Sequence, residues 1–414
     1  MSTPVRQQYL QIKQQYPDTI LFFRMGDFYE TFDDDARIVS SELDITLTAR
    51  ELRGKKIPMA GVPHHAAEGY LARLVAAGHK VAVCEQIGEP SNRDIVERQV
   101  VKVLTPGTVV EPSMLDSSRN NYIAALVLGS SGVGLAYADI TTGELAATQI
   151  TGAWAVERAR EELHRLAPSE IVVPEGVSSA GPGAEWRALH SPEPEDAYVS
   201  ATEVWRWKLD TATEALLQHT RATTLEAFGL ERTPLATRAV GGLLQYVGTT
   251  SPSSLAILGH VRTYTLEEYM LLDDRTRSNL ELTESSRGER SHSLLHVLDH
   301  TCTSMGARTL RRWINQPLLD RQALETRLDS VSTLAGDAAV GGALRAELSF
   351  VSDLERLVNR AVQGGISPRE LRSTGESLER LPRIRELLET SRAYSTHAIR
   401  PMPDLVDLLL SALV

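Results

Sequence analysis

Apolar residues run unbroken over 20–23, and beyond Asp27 they recur at steps of three or four residues. The first pattern is typical of a buried strand and the second of one face of a helix. Gly26 separates the two, and Asp27 with Glu30 three residues later fits a helix N-cap. We therefore predict a strand-to-helix corner, with Phe28 half-exposed at the polar border of the helix. The apolar face of that helix comprises Tyr29, Phe32, Ala36, Val39 and Leu43.

Strands alternate with helices through the first predicted domain, residues 1–115. A short N-terminal helix precedes the strand at 20–23, and a basic segment, 50–56, follows the predicted corner. The next helix ends at Gly78, a common C-cap residue, before a strand over 80–86 with valines at alternate positions. This alternation favours a mixed α/β layer structure.

Residues 116–250 form the second predicted domain, which begins with three strand-like runs over 122–128, 133–139 and 144–150. The turns between them are rich in Gly, Ser and Thr, so the pattern predicts an antiparallel meander. A helix containing Trp154 and a strand over 171–173 follow. Three antiparallel strands, a helix and another strand is the order of a ribonuclease-H-like fold. Residues 176–194 are predicted to form a loop.

Helical periodicity dominates the third predicted domain, residues 251–414, in which we expect no further strands. Pro317 and the pair Gly364-Gly365 are predicted to end helices, and Ser367-Pro368-Arg369-Glu370 has the composition of a capping box. The predicted fold class is thus α/β and all-α multidomain, with a mixed α/β N-terminal domain, a ribonuclease-H-like connector and a helical core bundle that is incomplete.

Bulk composition is that of an ordinary globular chain. The 414 residues are 42% hydrophobic, and no apolar run reaches the roughly 18 residues that cross a bilayer. The two cysteines, Cys84 and Cys302, exclude a disulfide framework and fit a reducing cytosol. A formal net charge of −11 does not by itself suggest nucleic-acid binding. A negative net charge and nucleic-acid binding are compatible if basic residues are concentrated on one surface.

The segment Gly26-Asp27-Phe28-Tyr29-Glu30 resembles the mismatch-recognition motif of the MutS family of DNA mismatch repair proteins. Further blocks are similar to the same family in the same order, so the resemblance extends almost end to end. These blocks are 58–66, 84–88, 105–108, 279–282 and 305–318. The resemblance implies a mismatch-recognition domain, a connector domain and part of a core domain.

In the family, a Phe-x-Glu wedge probes the duplex, so the resemblance implies that Phe28 stacks on a mispaired base and Glu30 hydrogen-bonds its edge. It also places Met25, Arg50, Met59 and Arg98 near DNA. Alternatives remain open from the residues alone: Phe28 could pack in the core with Phe32, Glu30 could cap the helix, and the basic residues could be solvated. The fold could then serve a binding module with no mismatch role.

Other chemistry has weaker support. His64-His65 lacks a second pair of ligands at metal spacing, and the first connector strand lacks the acid that a two-metal nuclease needs. The chain also lacks the phosphate-binding loop of an ATPase, so we expect no catalytic, cofactor or metal residue. The resemblance implies that ATP and magnesium act through a C-terminal domain of the full-length family, and that this sequence is the front portion of such a protein.

Implied partners are mismatched double-stranded DNA, a second copy and a MutL-type repair protein, in the cytoplasm at the nucleoid.

Overall fold

The computed structural model describes residues 4–52, 55–87, 96–176, 197–391 and 399–413. Two six-stranded sheets account for the chain up to Thr263, and helices dominate from Ser304 onward. Mixed α/β structure followed by a helical region is therefore confirmed. The limits at residues 115 and 250 stay predictions.

The first sheet is covered by helices on both faces. Its elements are α1 (Pro4–Gln15), β1 (Ile20–Met25), β2 (Phe28–Phe32), α2 (Asp33–Leu43), β3 (Thr48–Leu52), β4 (Lys55–Pro63), α3 (Ala67–Ala76), β5 (Val81–Ile87) and β6 (Glu97–Leu104). The strand order is β3-β4-β2-β1-β5-β6, with β1 parallel to β5. Helix α1 packs on one face, where the Tyr9 ring meets Phe23 edge to face at 5.5 Å. Helices α2 and α3 pack on the other face.

The prediction of a strand-to-helix corner at Gly26 is wrong. Strands β1 and β2 form an antiparallel hairpin, and the helix begins only at Asp33. Residues 28–32 alternate between the two faces of the sheet, which is the period of a strand. Gly26, with φ +60°, supplies the turn conformation. Glu30 therefore does not cap a helix.

The second sheet contains the predicted meander. Its elements are β7 (Ile123–Gly129), β8 (Gly132–Asp139), β9 (Glu144–Thr151), α4 (Ala155–Leu166), β10 (Glu170–Pro174), β11 (Tyr198–Thr202), α5 (Leu209–Thr220), α6 (Pro234–Thr250) and β12 (Arg262–Thr263). The order is β11-β10-β7-β8-β9-β12, with β10 parallel to β7 and β11 parallel to β10. Helices α4 and α6 pack on opposite faces. Most of the predicted loop over 176–194 lies outside the described residues.

The expectation that strands stop at residue 251 is wrong. Strand β12 pairs in parallel with β9, and an isolated bridge joins Tyr269 to Leu318. A two-residue strand is too short to show periodicity, which explains the error. The chain between β12 and Ser304 also contains less helix than predicted. The remaining helices are α7 (Asp274–Asn279), α8 (Leu294–Leu298), α9 (Ser304–Asn315), α10 (Arg321–Gly336), α11 (Ala338–Leu348), α12 (Leu354–Val362), α13 (Pro368–Glu379), α14 (Leu381–Ser391) and α15 (Pro403–Ala412).

The predicted helix boundaries in this region are confirmed. Helix α9 ends two residues before Pro317, and α12 ends before Gly364, which has φ +75°. At the start of α13, Ser367 and Glu370 form a capping box in which each side chain bonds the other's backbone amide. Within the described residues, no helix combines the length and apolar character needed to span a membrane.

Candidate nucleic-acid interface

Strand β2 holds Phe28 and Glu30 between two neighbouring strands. It pairs with β1 on one side and β4 on the other, so its backbone is fixed along both edges. Phe28 lies opposite Met25 on β1, and Glu30 lies opposite Gly61 on β4. The turn is closed further by the amide of His64, which donates to the carbonyl of Asp27 at 2.8 Å.

Phe28 and Glu30 share one face of the sheet because they are two residues apart on a strand. Tyr29, between them, points to the opposite face and is buried. Helix α1 covers part of the Phe28 face, yet the Phe28 side chain remains 47% exposed. The alternative in which Phe28 packs in the core with Phe32 is therefore wrong. Phe32 is buried against Tyr9 instead, with ring centroids 4.9 Å apart.

Glu30 is a partly buried carboxylate with a cation nearby. Arg50 on β3 donates from Nη1 to Glu30 Oε2 at 3.4 Å. Burial raises the pKa of the Glu30 carboxyl, while the Arg50 and Arg98 guanidiniums act in the lowering direction. Glu30 therefore has a greater tendency to take up a proton than a fully solvated glutamate has.

Because Gly61 has no side chain, no side chain from this position of β4 covers the sheet surface beside Glu30. A Cβ atom at this position would lie 3.4 Å from the Tyr29 carbonyl oxygen and 3.7 Å from Glu30 Cγ. Because paired residues of neighbouring strands share a face, any larger side chain here would stand beside Glu30. The sequence analysis did not single out Gly61. Its signal would have been the pairing of β2 with β4, which local pattern cannot reveal.

The other residues that the resemblance placed near DNA fall on the same sheet, with different exposure. Met25 and Met59 are half-buried at the edge of the cluster under α1, and Arg50 is exposed. Arg98 is buried, and its guanidinium donates to the Arg24 carbonyl at 2.8 Å and to Gln8 Oε1 at 3.2 Å. The geometry thus commits Arg98 to protein partners, and its predicted contact with DNA remains untested.

The basic segment and the histidine pair have ordinary surroundings where they are described. Lys56 is exposed, whereas Arg53 lies outside the described residues. His64 begins a short 3₁₀ helix before α3, and its ring centroid lies 5.6 Å from that of Tyr29. No cluster of potential metal ligands occurs in the described part of the chain.

Two acidic residues of the second sheet accept hydrogen bonds from other groups of the protein. Asp139, at the end of β8, is fully buried and accepts from Asn120 Nδ2 at 2.8 Å and Thr141 Oγ1 at 2.6 Å. Glu170 on β10, which the sequence analysis did not single out, is also fully buried and accepts from the Tyr246 hydroxyl at 2.6 Å. Both carboxylates join structural elements rather than facing a cleft.

Comparison with known proteins identifies relatives over almost the whole chain. A DNA mismatch repair protein MutS from Dehalococcoides mccartyi is 42% identical over 418 residues, which covers 99% of this chain and 47% of the relative. One from Symbiobacterium thermophilum is also 42% identical and covers 98% of the chain and 46% of the relative. One from Halothermothrix orenii is 40% identical, with 98% and 45% covered. The chain thus spans about half the length of these relatives.

Three family models match successive parts of the chain. Their descriptions are MutS domain I for residues 3–113, MutS domain II for residues 121–261 and MutS domain III for residues 275–414. These matches define a class of multidomain protein. Their order agrees with the structure, in which two α/β units are followed by a helical unit. The chain belongs to the MutS family.

Proposed function

We propose that this chain recognises mispaired or unpaired bases in double-stranded DNA, as part of ATP-dependent mismatch repair. The observation that carries the proposal is the Phe28 side chain, an aromatic ring 47% exposed beside a carboxylate on the same rigid strand face. Apolar wedges of this kind unstack a base step and kink the duplex. A mispair has already lost part of its stacking, so insertion costs less there than in intact duplex.

Glu30 contributes a hydrogen bond to the edge of the displaced base and a repulsion from phosphates elsewhere. A carboxylate on a DNA-facing surface weakens binding to every duplex that does not supply a compensating hydrogen bond. Arg50 offsets part of this charge through its 3.4 Å contact with Glu30. Arg50, Met25 and Met59 then border the wedge. Arg98, buried beneath it, acts by holding β6 against β1 and α1.

The wider assignments follow from membership of the family. We propose that the second sheet is a ribonuclease-H-like connector, because two parallel strands extend the meander on the β7 side. The partners proposed for the full-length family are a second copy and a MutL-type repair protein, acting at the nucleoid in the cytoplasm. We assign no cofactor to these 414 residues, and propose that ATP and magnesium act through a separate domain of the full-length family.

The test is the variant Phe28→Ala, titrated by fluorescence anisotropy against a G·T-containing duplex and a fully paired duplex at one fixed salt concentration. Stacking of an aromatic ring on a base is worth about 1–3 kcal/mol, so affinity for the mismatched duplex should fall roughly 5- to 150-fold. Affinity for the paired duplex should barely change, because phosphate contacts dominate there.

Phe350→Ala is the matched control, since Phe350 is a phenylalanine 63% exposed in the helical region. It should leave the affinity for both duplexes unchanged. Equal weakening of both duplexes by Phe28→Ala, or no change in either, would contradict the wedge assignment. Thermal unfolding of each variant separates a loss of recognition from a loss of folding.

A further inference from the structure

A polar cavity of about 440 Å³ lies where the second sheet meets the helical region. It is lined by the loop before β7, by the end of α4, and by α7, the loop after it and α9. A volume of this size falls within the range of small-molecule binding sites. None of the residues assigned to DNA recognition lines this cavity.

Positive charge predominates in the lining. Two carboxylates, Asp274 and Glu284, face the cavity together with a larger set of guanidinium groups. The arginines that line it are Arg119, Arg165, Arg277, Arg308, Arg311 and Arg312. Positive charge is thus concentrated here in a chain whose net charge is −11.

Several of these guanidiniums are fixed by carboxylates outside the lining. Arg165 makes two hydrogen bonds of 2.7 Å to Glu162, and Arg308 binds Asp353 at 2.6 and 2.8 Å. Neither acid is part of the cavity wall. Because they are held from outside the cavity, these donors do not need to reorganise to receive a ligand.

Arg311 on α9 has unpaired donors, although the carboxylates of Glu284 and Asp116 offset part of its charge. Its Nε and Nη2 atoms are buried and have no hydrogen-bond partner in the described part of the chain. Burial, followed by the neighbouring Arg119, lowers the pKa of Arg311 to about 10. Burial and then Arg165 likewise lower the pKa of Arg277. Buried donors without hydrogen-bond partners are costly, so an anion in the cavity that accepts from Arg311 Nε and Nη2 would relieve this cost.

We propose that this cavity binds a small phosphate-type anion with two or more negative charges, and that Arg311 is a direct ligand. Guanidinium groups bind phosphate oxygens through paired N–H donors, which is the chemistry that the lining offers. Such an anion would bridge Arg119 and Arg165 of the second unit to Arg277 and Arg311 of the third. It would therefore stabilise the contact between the two units.

The test uses sodium pyrophosphate as the probe and the melting temperature of the 414-residue chain as the readout, at constant ionic strength. A ligand that binds only the folded state raises the melting temperature in a saturable way. Arg311→Met removes the positive charge and keeps a long, unbranched side chain. Pyrophosphate affinity should therefore fall about 10- to 100-fold. Without pyrophosphate, R311M should melt at the same or a higher temperature, because two buried unpaired donors are gone.

Arg321→Met is the matched control, since the Arg321 side chain is 89% exposed on the next helix and does not line the cavity. It should keep the full pyrophosphate response. If R311M does not fold, Arg312→Met, whose side chain is 46% exposed, should reduce the response in the same way. Sulfate at the same ionic strength separates a divalent-anion effect from general screening.

Three results would overturn the proposal. The first is no saturable response of the unmodified chain. The second is a lower melting temperature of R311M together with an unchanged response to pyrophosphate, which would make Arg311 structural. The third is displacement of pyrophosphate by duplex DNA, which would put the phosphates of a strand in the cavity. None of these results depends on whether Phe28 recognises a mismatch, so the two proposals can fail separately.

Discussion

Glu30 is a carboxylate held in a place where its charge is disfavoured. It is half-buried in the first sheet, and its pKa is raised by that burial. The hydrogen bond that Arg50 donates to it is at the long limit for such a bond. A protonated Glu30 would lose its repulsion from phosphates and gain a donor. On the proposed function, its protonation state links pH to the affinity for DNA.

We predict that affinity for both duplexes rises as the pH falls toward the pKa of Glu30, which burial raises above that of an ordinary glutamate. The sign follows because binding favours the protonated form, which is the form with less repulsion. Glu30→Gln should bind more tightly than the unmodified chain at neutral pH, and most of the pH dependence should be lost. Anisotropy titrations across this pH range measure the effect.

Glu51→Gln serves as the control, because Glu51 is an exposed glutamate on the neighbouring strand β3. It should keep the pH dependence of the unmodified chain. A pH profile of E30Q that matches the unmodified chain would show that some other group titrates on binding.

At the scale of elements, the β1–β2 hairpin was misread although its signal is present. Gly26-Asp27 is a two-residue turn of a type that joins antiparallel strands, and residues 28–31 alternate in exposure. The helical spacing continues upstream of Asp33 only because Tyr29 and Phe32 happen to fit it. The later helices were better predicted, since Ser367, Pro317 and Gly364 act through local backbone chemistry.

Close approach of α5 and α6 gives a prediction at this scale. A Cβ atom at Gly241 would lie 2.4 Å from Ala212 Cα and 2.8 Å from its carbonyl oxygen. Because backbone atoms cannot yield as a side chain can, Gly241→Ala should lower the free energy of unfolding by about 1–3 kcal/mol. Chemical denaturation followed by circular dichroism measures this loss.

Gly248→Ala on the same helix is the matched control. Its added Cβ would meet only Leu255 Cδ1 at 3.1 Å, the end of a side chain that can move. Since alanine favours a helix over glycine by about 0.5–1 kcal/mol, this variant should be neutral or slightly more stable. Equal losses for both variants would mean that the close contact with Ala212 is not limiting.

At the scale of the whole molecule, one arginine joins the second sheet to the helical region. Arg356 on α12 is buried and donates to Thr141 Oγ1 at 3.2 Å, to the Asp116 carbonyl at 3.1 Å and to the Arg119 carbonyl at 2.6 Å. Asn359 adds a bond to the Thr141 carbonyl at 2.9 Å. More than two hundred residues separate these partners along the chain.

We predict that Arg356→Ala loosens this junction, because it leaves the buried Thr141 hydroxyl and two partly buried carbonyl oxygens without this donor, at a cost of roughly 1–3 kcal/mol. Hydrogen exchange at the amides of Thr142 and Gly143, which close the β8–β9 turn onto Asp139, should become faster. Arg360→Ala is the control, since Arg360 donates to Gly365 and Glu370, which both lie in the helical region. Unchanged exchange in R356A would contradict the assigned role.

Contacts between residues far apart in the chain could not be predicted from the sequence. Ordered blocks revealed the family, and local patterns revealed the meander and most helix ends. The pairing of Glu30 with Gly61, the two-residue strand β12 and the arginine-lined cavity depend on residues far apart in the chain. No local periodicity encodes such contacts, because they arise only when separate elements pack.

Strand β2 is paired along both edges, and this has a consequence for how a lesion would be found. A side chain on such a strand has little freedom to lose and cannot retreat when a duplex presses against it. The work of deformation then falls almost entirely on the DNA. Phe28 would therefore respond to how easily the duplex deforms. Sites that bend easily for any chemical reason would then be bound alongside true mispairs.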